Sequence, residues 1–555
     1  MAFAACCGLW ACQQAAQPSA QGSAGTAAGG GATQPPKTPS QCASSPTEPG
    51  PTPIRRLNRT EYNRTVHDLL NDSTAPATQF PGEEVVLGFD NNADQQRASG
   101  LLVEGYQSAA IALSKAATAD LPTLLACDPV TQGEDACLGT FLNDFGRRIY
   151  RRPLAAEETS RLLAFYASNK QAFDFPTAVR LLLQAMLQSP HFLYRVETHG
   201  TAVSPSVVQV SGYQLASRLS YLLWSSTPDL PLLQAAASGV LDTPAGIKGE
   251  AQRLLADPRA KRAVGSFFSQ WLDFEKISKI GQADKSAAAF PTFKPSLPAL
   301  LRQEAESFVE DVFFDGGDLT RLLSGNYTYM NQELAEFYGL SGPTSASFEK
   351  VLLDPQRRAG VLTQAGFLAS HAKADQTSPV QRGLFVREQL LCSAPPPPPA
   401  NVNTMLPPPD PQATTRERLT MHRSAPACAS CHALLDPVGF AFEHFDGVGL
   451  WRDTESGKPI DATGEVVGTV DADGKIDGAL ELAAKLSQSA QVRDCIAKQW
   501  FRFGYGRSEA DVDQCTLQRL TDAFAASGGN WQALVLELTQ TDAFRYRTVQ
   551  PGAAP

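Results

Sequence analysis

The sequence has no apolar run of the roughly 18 residues that a membrane-spanning helix needs. Its longest apolar candidate, Met1 to Cys12, stops at twelve residues. Positive charge is also scarce, because 47 Lys and Arg stand against 57 Asp and Glu, a formal net charge of −10. That sign is wrong for general binding to nucleic acid. We therefore expect no nucleic-acid partner and a protein body that lies outside the membrane.

Common catalytic signatures are missing as well. The sequence contains no GxSxG elbow, HExxH motif, Walker loop or GxGxxG loop. It also lacks the strand and helix alternation of a Rossmann or barrel fold. Long helical patterns are abundant instead, and 555 residues at ~150 per domain predict three to four packed units. We predict a mainly α fold of several helical domains, and leave open whether the protein is an enzyme.

The N-terminal residues have the composition of an export signal followed by a spacer. Leu9-Trp10-Ala11-Cys12 resembles the lipobox of bacterial lipoproteins, which makes Cys12 the lipidation candidate. No basic residue precedes Cys12, so an apolar leader without lipid is the alternative. From Gln13 to Gly50, 35 of 38 residues are Ala, Gly, Ser, Thr, Gln or Pro, which is typical of a flexible linker. We expect an exported protein, periplasmic or at the cell surface, whose lipid anchor makes its only membrane contact.

Individual helices are predicted from caps and from apolar periodicity. Asn58 and Glu61 form a capping-box signature that starts the first helix. Apolar residues at helical spacing predict further helices at 139–148, 156–168, 177–188, 211–223, 264–271, 301–314, 331–338 and 358–370. Aromatic residues at the same spacing are interpreted as core: Tyr221, Trp224, Phe267, Phe268 and Trp271.

Two further interpretations depend on local sequence. His191 stands beside Phe192 and Leu193, and we interpret it as a core residue rather than a ligand. Residues 460–477 contain a Val-rich stretch and the pair Asp473-Gly474, which predict one small β-hairpin near the C-terminus with its turn at that pair.

One short string carries specific chemistry: Cys428-Ala429-Ser430-Cys431-His432. Two thiols separated by two residues can form thioethers with both vinyl groups of haem, and the adjacent histidine then binds the iron. We predict one covalent haem c attached to Cys428 and Cys431, with His432 as proximal iron ligand. A zinc site is a competing interpretation that needs a fourth ligand. A redox-active disulfide is another, but it lacks the strand and helix context of thioredoxin-like sites.

The second axial ligand decides what such an iron does. A strong His or Met ligand gives an electron carrier, whereas an open position allows peroxide or oxygen chemistry. The candidates are His371, His422, Met405, Met421 and His444. We rank His422 and Met405 first as the possible distal ligand.

Charged and proline-rich residues surround the string. Arg416, Arg423 and Arg452 are candidate partners for the two haem propionates, because guanidinium binds carboxylate through two parallel hydrogen bonds. The proline runs at 395–399 and 407–409 predict polyproline II spacers between the haem module and the helical body.

The remaining cysteines predict disulfides in an oxidising compartment. Cys127 and Cys137 can close a short loop, and Cys495 and Cys515 are a second possible pair. Cys42 and Cys392 are left without an assigned partner.

These signals divide the chain into segments. We predict a lipoprotein-like signal at 1–12, a linker at 13–50, a first helical domain at 51–138, a helical hairpin domain at 139–200, a central helical domain at 207–340, a haem-attachment domain at 350–456, and a C-terminal hairpin plus helical domain at 457–555.

Text around the string resembles a known family. Gln376 to Gly383 reads QTSPVQRG, and Asp436 to Asp446 reads DPVGFAFEHFD; RRLNRTEYNRTVHDLL, YRRPL, SPHFLYR and GYGR occur elsewhere. The chain is similar to planctomycete-type cytochrome c proteins, which are multi-domain exported chains of consecutive domains of unknown function. Many relatives carry methionine where this chain has Leu435 and asparagine where it has His444. The resemblance implies haem binding.

Three functions remain in view at this point. The first is electron transfer through the haem, with a redox partner protein. The second is a haem enzyme, a peroxidase or oxygenase, with an open distal site. The third is an envelope interaction protein, for example one that binds a surface polymer, in which the haem is structural.

Overall fold

The computed structural model describes residues 41–42, 47–281, 284–396, 410–422 and 426–549, with backbone alone at 421, 422, 426–428 and 430. Its α-helices, in chain order, are α1 Arg59–Leu70, α2 Gly100–Ala117, α3 Leu121–Leu125, α4 Pro129–Gln132, α5 Glu134–Ile149, α6 Ala156–Lys170, α7 Phe175–Leu187, α8 Pro190–Leu193, α9 Gly212–Trp224, α10 Leu230–Ala237, α11 Pro244–Ala256, α12 Ala260–Trp271, α13 Phe274–Ser278, α14 Leu297–Phe314, α15 Leu319–Ser324, α16 Gln332–Tyr338, α17 Ala365–Ser370, α18 Pro379–Phe385, α19 Thr415–His422, α20 Pro426–Gly439, α21 Gly478–Gln488, α22 Ala490–Tyr505, α23 Gln514–Ala526, α24 Trp531–Leu538 and α25 Asp542–Arg545.

The strands are short: β1 Arg55–Arg56, β2 Tyr194–Arg195, β3 Gly200–Ser204, β4 Val207–Val210, β5 Tyr327–Met330, β6 Glu349–Leu352, β7 Thr454–Glu455, β8 Lys458–Pro459, β9 Thr463–Val466, β10 Gly474–Asp477 and β11 Tyr546–Thr548. The predicted mainly α class is confirmed. Within the described residues, no helix combines the length and the apolar character needed to cross a bilayer.

The N-terminal helices pack around a core of their own. Its apolar residues run from Leu57 to Leu193, and Tyr221 of α9 joins them. Helix α1 begins with the predicted capping box: the Asn58 side chain accepts the N–H of Glu61 at 2.8 Å, and the Glu61 carboxylate accepts the N–H of Asn58 at 3.1 Å. This cap fixes the first helix of the N-terminal unit.

A second and larger core unites the rest of the chain, up to Phe544. The segments predicted as central, haem-attachment and C-terminal domains all contribute to it. Phe267 of α12 stacks on Trp500 of α22 with ring centroids 3.8 Å apart, and Phe268 meets Trp531 of α24 edge-on at 5.3 Å. Phe267 and Phe268 are fully buried, which confirms their predicted core role.

Short strands fasten distant parts of the chain together. β1 pairs antiparallel with β2, and β11 lies beside β4 in the three-stranded sheet β11-β4-β3. The predicted C-terminal hairpin is present, with β9 antiparallel to β10. Its turn prediction is wrong, because Gly474 begins β10. The Asp473 carboxylate closes the connecting loop by accepting the N–H of Thr469 at 2.7 Å and that of Gly468 at 3.2 Å.

The helix predicted at 358–370 is shorter than expected. Only Ala365–Ser370 is α-helical, after a 3-10 turn at Val361–Thr363. Gly360 has φ +64°, and a Cβ there would lie 2.1 Å from the carbonyl oxygen of Leu323. A residue in this left-handed conformation, held against a neighbouring backbone, interrupts a helix.

Three disulfides link the described residues. Cys127 pairs with Cys137, as predicted. The predicted pairing of Cys495 with Cys515 is wrong: Cys495 bonds Cys392, and Cys515 bonds Cys42. The true partners lie 103 and 473 residues apart in sequence, so tertiary packing and not spacing selects them. Cys12 lies outside the described residues.

Candidate functional site

Helix α20 carries the CASCH string in its first two turns. Pro426 begins the helix, where its fixed φ suits the first helical position. Residues three and four apart lie on the same face of a helix, so positions 428, 431 and 432 share one side of α20. A single helix therefore presents both predicted attachment positions and the predicted ligand together.

The side chains of Cys431 and His432 have different surroundings. Cys431 is outside every described disulfide, and its Sγ lies 3.6 Å from the carbonyl oxygen of Pro396. The His432 side chain is 16% exposed, and its Nδ1 lies 3.0 Å and 3.1 Å from the two carboxylate oxygens of Asp436. An ionised carboxylate only accepts hydrogen bonds, so Nδ1 of His432 donates and the ring lone pair lies on Nε2.

Asp436 is a site residue that the sequence analysis did not assign. It lies one helical turn after His432, and its side chain is completely buried. A metal-binding histidine commonly donates its second ring N–H to a carboxylate, which fixes the tautomer and makes the ligand more basic. The i,i+4 spacing of His432 and Asp436 in the sequence was the signal that could have identified it. These residues fit a haem held through Nε2 of His432.

Close backbone packing holds α20 in place. A Cβ on Gly439 would lie 1.9 Å from the carbonyl oxygen of Pro379, and a Cβ on Gly383 would lie 2.1 Å from that of Leu435. Both contacts join α20 to α18, so glycine is required on each helix. Leu435 is 6% exposed and belongs to this packed side of α20.

A buried charge network joins α18 to the residues that follow α20. Arg382 of α18 donates to the carbonyl oxygens of Phe442 at 3.0 Å and Asp446 at 2.8 Å, and its guanidinium lies 3.7 Å from the Glu443 carboxylate. Burial lowers the pKa of Arg382 to about 10. Burial also raises the pKa of Glu443, against the opposing attraction of Arg452 and Arg382. The two family-like strings therefore meet as a structural clamp.

The predicted propionate partners have protein partners of their own. Arg416 donates to the carbonyl oxygens of Asp461, at 3.0 Å, and of Thr463. Arg452 lies 3.0 Å from Glu443 and 3.3 Å from Glu455. Arg423 lies outside the described residues. Propionate binding by these arginines remains a prediction.

Two of the distal-ligand candidates are engaged elsewhere. His371 is 3% exposed and packs between Phe367 and Phe385, with ring centroids 4.7 Å and 5.0 Å away. Burial lowers the pKa of His371 to about 4. His444 stacks on Trp451 at 4.5 Å, and its Nδ1 lies 3.0 Å from the carbonyl oxygen of Arg452.

The other distal candidates belong to the segment just before the motif. His422 ends α19, and its side chain, like that of Met421, is not described. Met405 and the proline runs, apart from Pro395 and Pro396, lie outside the described residues.

Comparison with protein-family models finds five consecutive matches, each described as a protein of unknown function. They are DUF1587 at residues 55–119, DUF1595 at 137–197, DUF1592 at 210–340, DUF1588 at 358–455 and DUF1585 at 473–544. The DUF1588 model, named PSCyt3, spans the CASCH helix. No curated protein and no solved structure matches the chain.

Proposed function

Because the chain belongs to the planctomycete-type cytochrome c group, we propose that it is an exported electron-transfer protein with one covalent haem. The observation that carries this proposal is the hydrogen bond from Nδ1 of His432 to the buried Asp436 carboxylate, on a helix that also presents a thiol outside the described disulfides. The group as a whole is cytochrome c-like. Electron transfer and the presence of a single haem are what we propose for this chain beyond its membership of the group.

Each residue of the site has one task in this proposal. Cys428 and Cys431 would hold the haem through thioether bonds, and His432 would bind its iron through Nε2. The haem supplies a reversible one-electron change when bound. Asp436 keeps the His432 ring in a fixed orientation and makes its Nε2 a stronger ligand for iron. The clamp of α18 against α20 keeps both groups in place.

The exposure of the site suits exchange of electrons with a redox partner protein. Cys431 and His432 are partly exposed, while Asp436 and the clamp beneath them are buried. A group attached at this face would be reachable by a docked partner. Export is supported by the three disulfides, because such bonds persist in oxidising compartments.

The first test is covalent attachment. The full chain, co-expressed with a haem-attachment system, should keep haem peroxidase staining on a denaturing gel, and the double variant Cys428→Ala/Cys431→Ala should lose it. The variant Cys127→Ala/Cys137→Ala is the matched control, because it removes two cysteines far from α20. Equal staining of both double variants would overturn the attachment.

The second test separates electron transfer from catalysis. Visible spectra of the ferric and ferrous protein should be low-spin and unchanged by cyanide or peroxide, because an electron carrier keeps two strong axial ligands. His422→Ala should convert the spectrum to high spin if His422 is the distal ligand, and Met405→Ala should do so if Met405 is. A high-spin spectrum of the unchanged protein that responds to peroxide would favour a haem enzyme instead.

A further inference from the structure

A cavity of about 540 Å³ lies between the N-terminal unit and α9, and no residue of the CASCH helix lines it. Its walls come from the loop around Arg151, the start of α6, the segment from His191 to His199, and α9. Sites that bury small organic ligands usually have volumes of 300–1,000 Å³. The size of this cavity is therefore that of a ligand site.

The cavity has an excess of positive charge. Five arginines and three glutamates line it, although the chain as a whole has a net charge of −10. Arg151, which is 4% exposed, donates to the carbonyl oxygens of His191 at 2.6 Å, Tyr194 at 2.7 Å and Phe192 at 3.2 Å. No carboxylate of the described residues forms an ion pair with Arg151 within 4.0 Å, so carbonyl oxygens and the Tyr221 ring are what hold its guanidinium in the wall. Such a wall attracts an anion.

Two of the three glutamates that line the cavity, Glu158 and Glu197, are paired with arginines. Glu158 accepts two hydrogen bonds from Arg152 at 2.7 Å and 2.8 Å, one from the N–H of Ala155 at 2.8 Å, and contacts Nε2 of His191 at 3.0 Å. The hydrogen bonds from Arg152 are the main reason that the pKa of Glu158 falls to about 2. Glu197 is likewise bound by Arg218, with Nε at 2.7 Å. These two carboxylates therefore oppose an incoming anion only weakly, and the third, Glu157, lies at the exposed edge of the cavity, where solvent screens its charge.

Two polar groups of the cavity have no partner in the described part of the chain. Arg161, an exposed residue of α6, forms no ion pair within 4.0 Å with any described carboxylate. The Ser217 hydroxyl is buried, at 8% residue exposure, and has no hydrogen-bond partner. A buried hydroxyl without a partner costs about 1–3 kcal/mol. A ligand oxygen in the cavity would satisfy it.

Part of the remaining wall is aromatic. Tyr150 and Tyr213 line the cavity, and the His191 ring lies 5.4 Å from that of Tyr150. His191 is half-buried, with 35% of its side chain exposed, so its interpretation from sequence as a core residue is wrong. The reason is Glu158, whose carboxylate holds the ring at the cavity wall.

We propose that this cavity binds a small organic carboxylate, whose charged group contacts Arg161 and Ser217 and whose ring or chain packs on Tyr150 and Tyr213. A guanidinium fork matches the two oxygens of a carboxylate, and one hydroxyl adds a third donor. Inorganic phosphate has more oxygens but no apolar part to pack on the tyrosines, so we expect its affinity for the cavity to be lower. The site does not depend on haem binding.

The experiment measures thermal shifts and calorimetric affinities of the full chain with benzoate, 4-hydroxybenzoate and glucuronate. Benzamide and glucose are the neutral counterparts, and inorganic phosphate is the anion control. We expect at least one carboxylate to bind while its neutral counterpart does not, with phosphate at least tenfold weaker. Arg161→Gln should weaken that binding at least tenfold, and Ser217→Ala several-fold.

The matched control is Arg97→Gln, because Arg97 is an exposed arginine of the N-terminal unit outside the cavity. The proposal is overturned if no carboxylate binds better than its neutral counterpart, if phosphate binds as tightly, or if Arg161→Gln and Arg97→Gln bind alike. Arg161 is exposed, so its replacement leaves the core intact and loss of binding reports the contact itself.

Discussion

Two buried carboxylates, Asp436 and Glu304, illustrate how the partner determines the role of an acidic residue. Asp436 accepts a hydrogen bond from His432 and so can tune a metal ligand. Glu304 of α14 accepts hydrogen bonds from Thr328 at 2.8 Å and from Tyr338 at 2.8 Å, and it forms no ion pair within 4.0 Å with the described cations. The first residue belongs to the candidate site, and the second changes the stability of the scaffold.

Asp436→Asn should raise the reduction potential of the haem protein. Asparagine can still accept from Nδ1 of His432, but it lacks the charge that makes the imidazole a stronger donor to the oxidised iron. We expect an increase of about 60 mV or more, which is one factor of ten for a one-electron couple. Potentiometric titration measures it, with the exposed Asp375→Asn as control. An unchanged reduction potential would show that Asp436 does not act on the iron through His432.

Glu304→Gln should change the pH dependence of stability. Burial raises the pKa of Glu304 to about 7, so near neutral pH the folded state holds a proton that the unfolded state has lost. The contribution of Glu304 to the free energy of unfolding therefore falls as pH rises from about 4.5 to 7, and Gln makes no such contribution. The free energy of unfolding of the variant, relative to that of the wild type, should increase by roughly 3 kcal/mol between these two pH values. Urea unfolding at each pH tests this, with the half-exposed Glu310→Gln as control.

At the scale of elements, the packing of α18 against α20 determines how precisely the site is held. The helices approach so closely that Gly383 and Gly439 each face a backbone carbonyl oxygen. The buried Arg382 then bridges from α18 to the residues that follow α20. A ligand on α20 is positioned by backbone contacts, which are less adaptable than side-chain packing.

Gly439→Ala should destabilise the protein and reduce haem attachment. Its Cβ would lie 1.9 Å from the carbonyl oxygen of Pro379, so α18 and α20 must separate. Overpacking of this kind costs about 1–3 kcal/mol. Gly249→Ala on α11 is the control, because no atom lies within 4 Å of its Cβ and alanine favours a helix. Chemical unfolding compares them, and equal stabilities would contradict the close approach.

At the scale of the whole molecule, local signals in the sequence predicted local structure. The cap at Asn58, the buried aromatics of α12 and the Cys127–Cys137 pair involve residues close in sequence, and all three are present. Features that join distant segments were missed, including both long-range disulfides and the cavity beside His191. Packing between distant segments determines which cysteines pair and which residues line the cavity. This packing leaves no recognisable spacing or periodicity in a single sequence.

The Cys392–Cys495 disulfide should contribute more stability than Cys127–Cys137. It closes a loop of 103 residues that contains the CASCH helix, whereas the other closes a loop of 10. Chain-entropy arguments give about 4.7 kcal/mol for a 100-residue loop and about 3 kcal/mol for a short one. Cys392→Ser/Cys495→Ser should therefore lower the melting temperature more than Cys127→Ser/Cys137→Ser. Scanning calorimetry measures the two melting temperatures. A larger decrease for Cys127→Ser/Cys137→Ser would contradict the loop-entropy account.

The sulfur atoms within and at the ends of the loop closed by Cys392 and Cys495 differ in their access to solvent. Cys495 is fully buried, but Cys431 is partly exposed. Thiol exchange needs direct access of the attacking thiolate to sulfur. Cys392, the disulfide partner of Cys495, is also partly exposed, so a thiolate that attacks the Cys392–Cys495 bond must approach through Cys392.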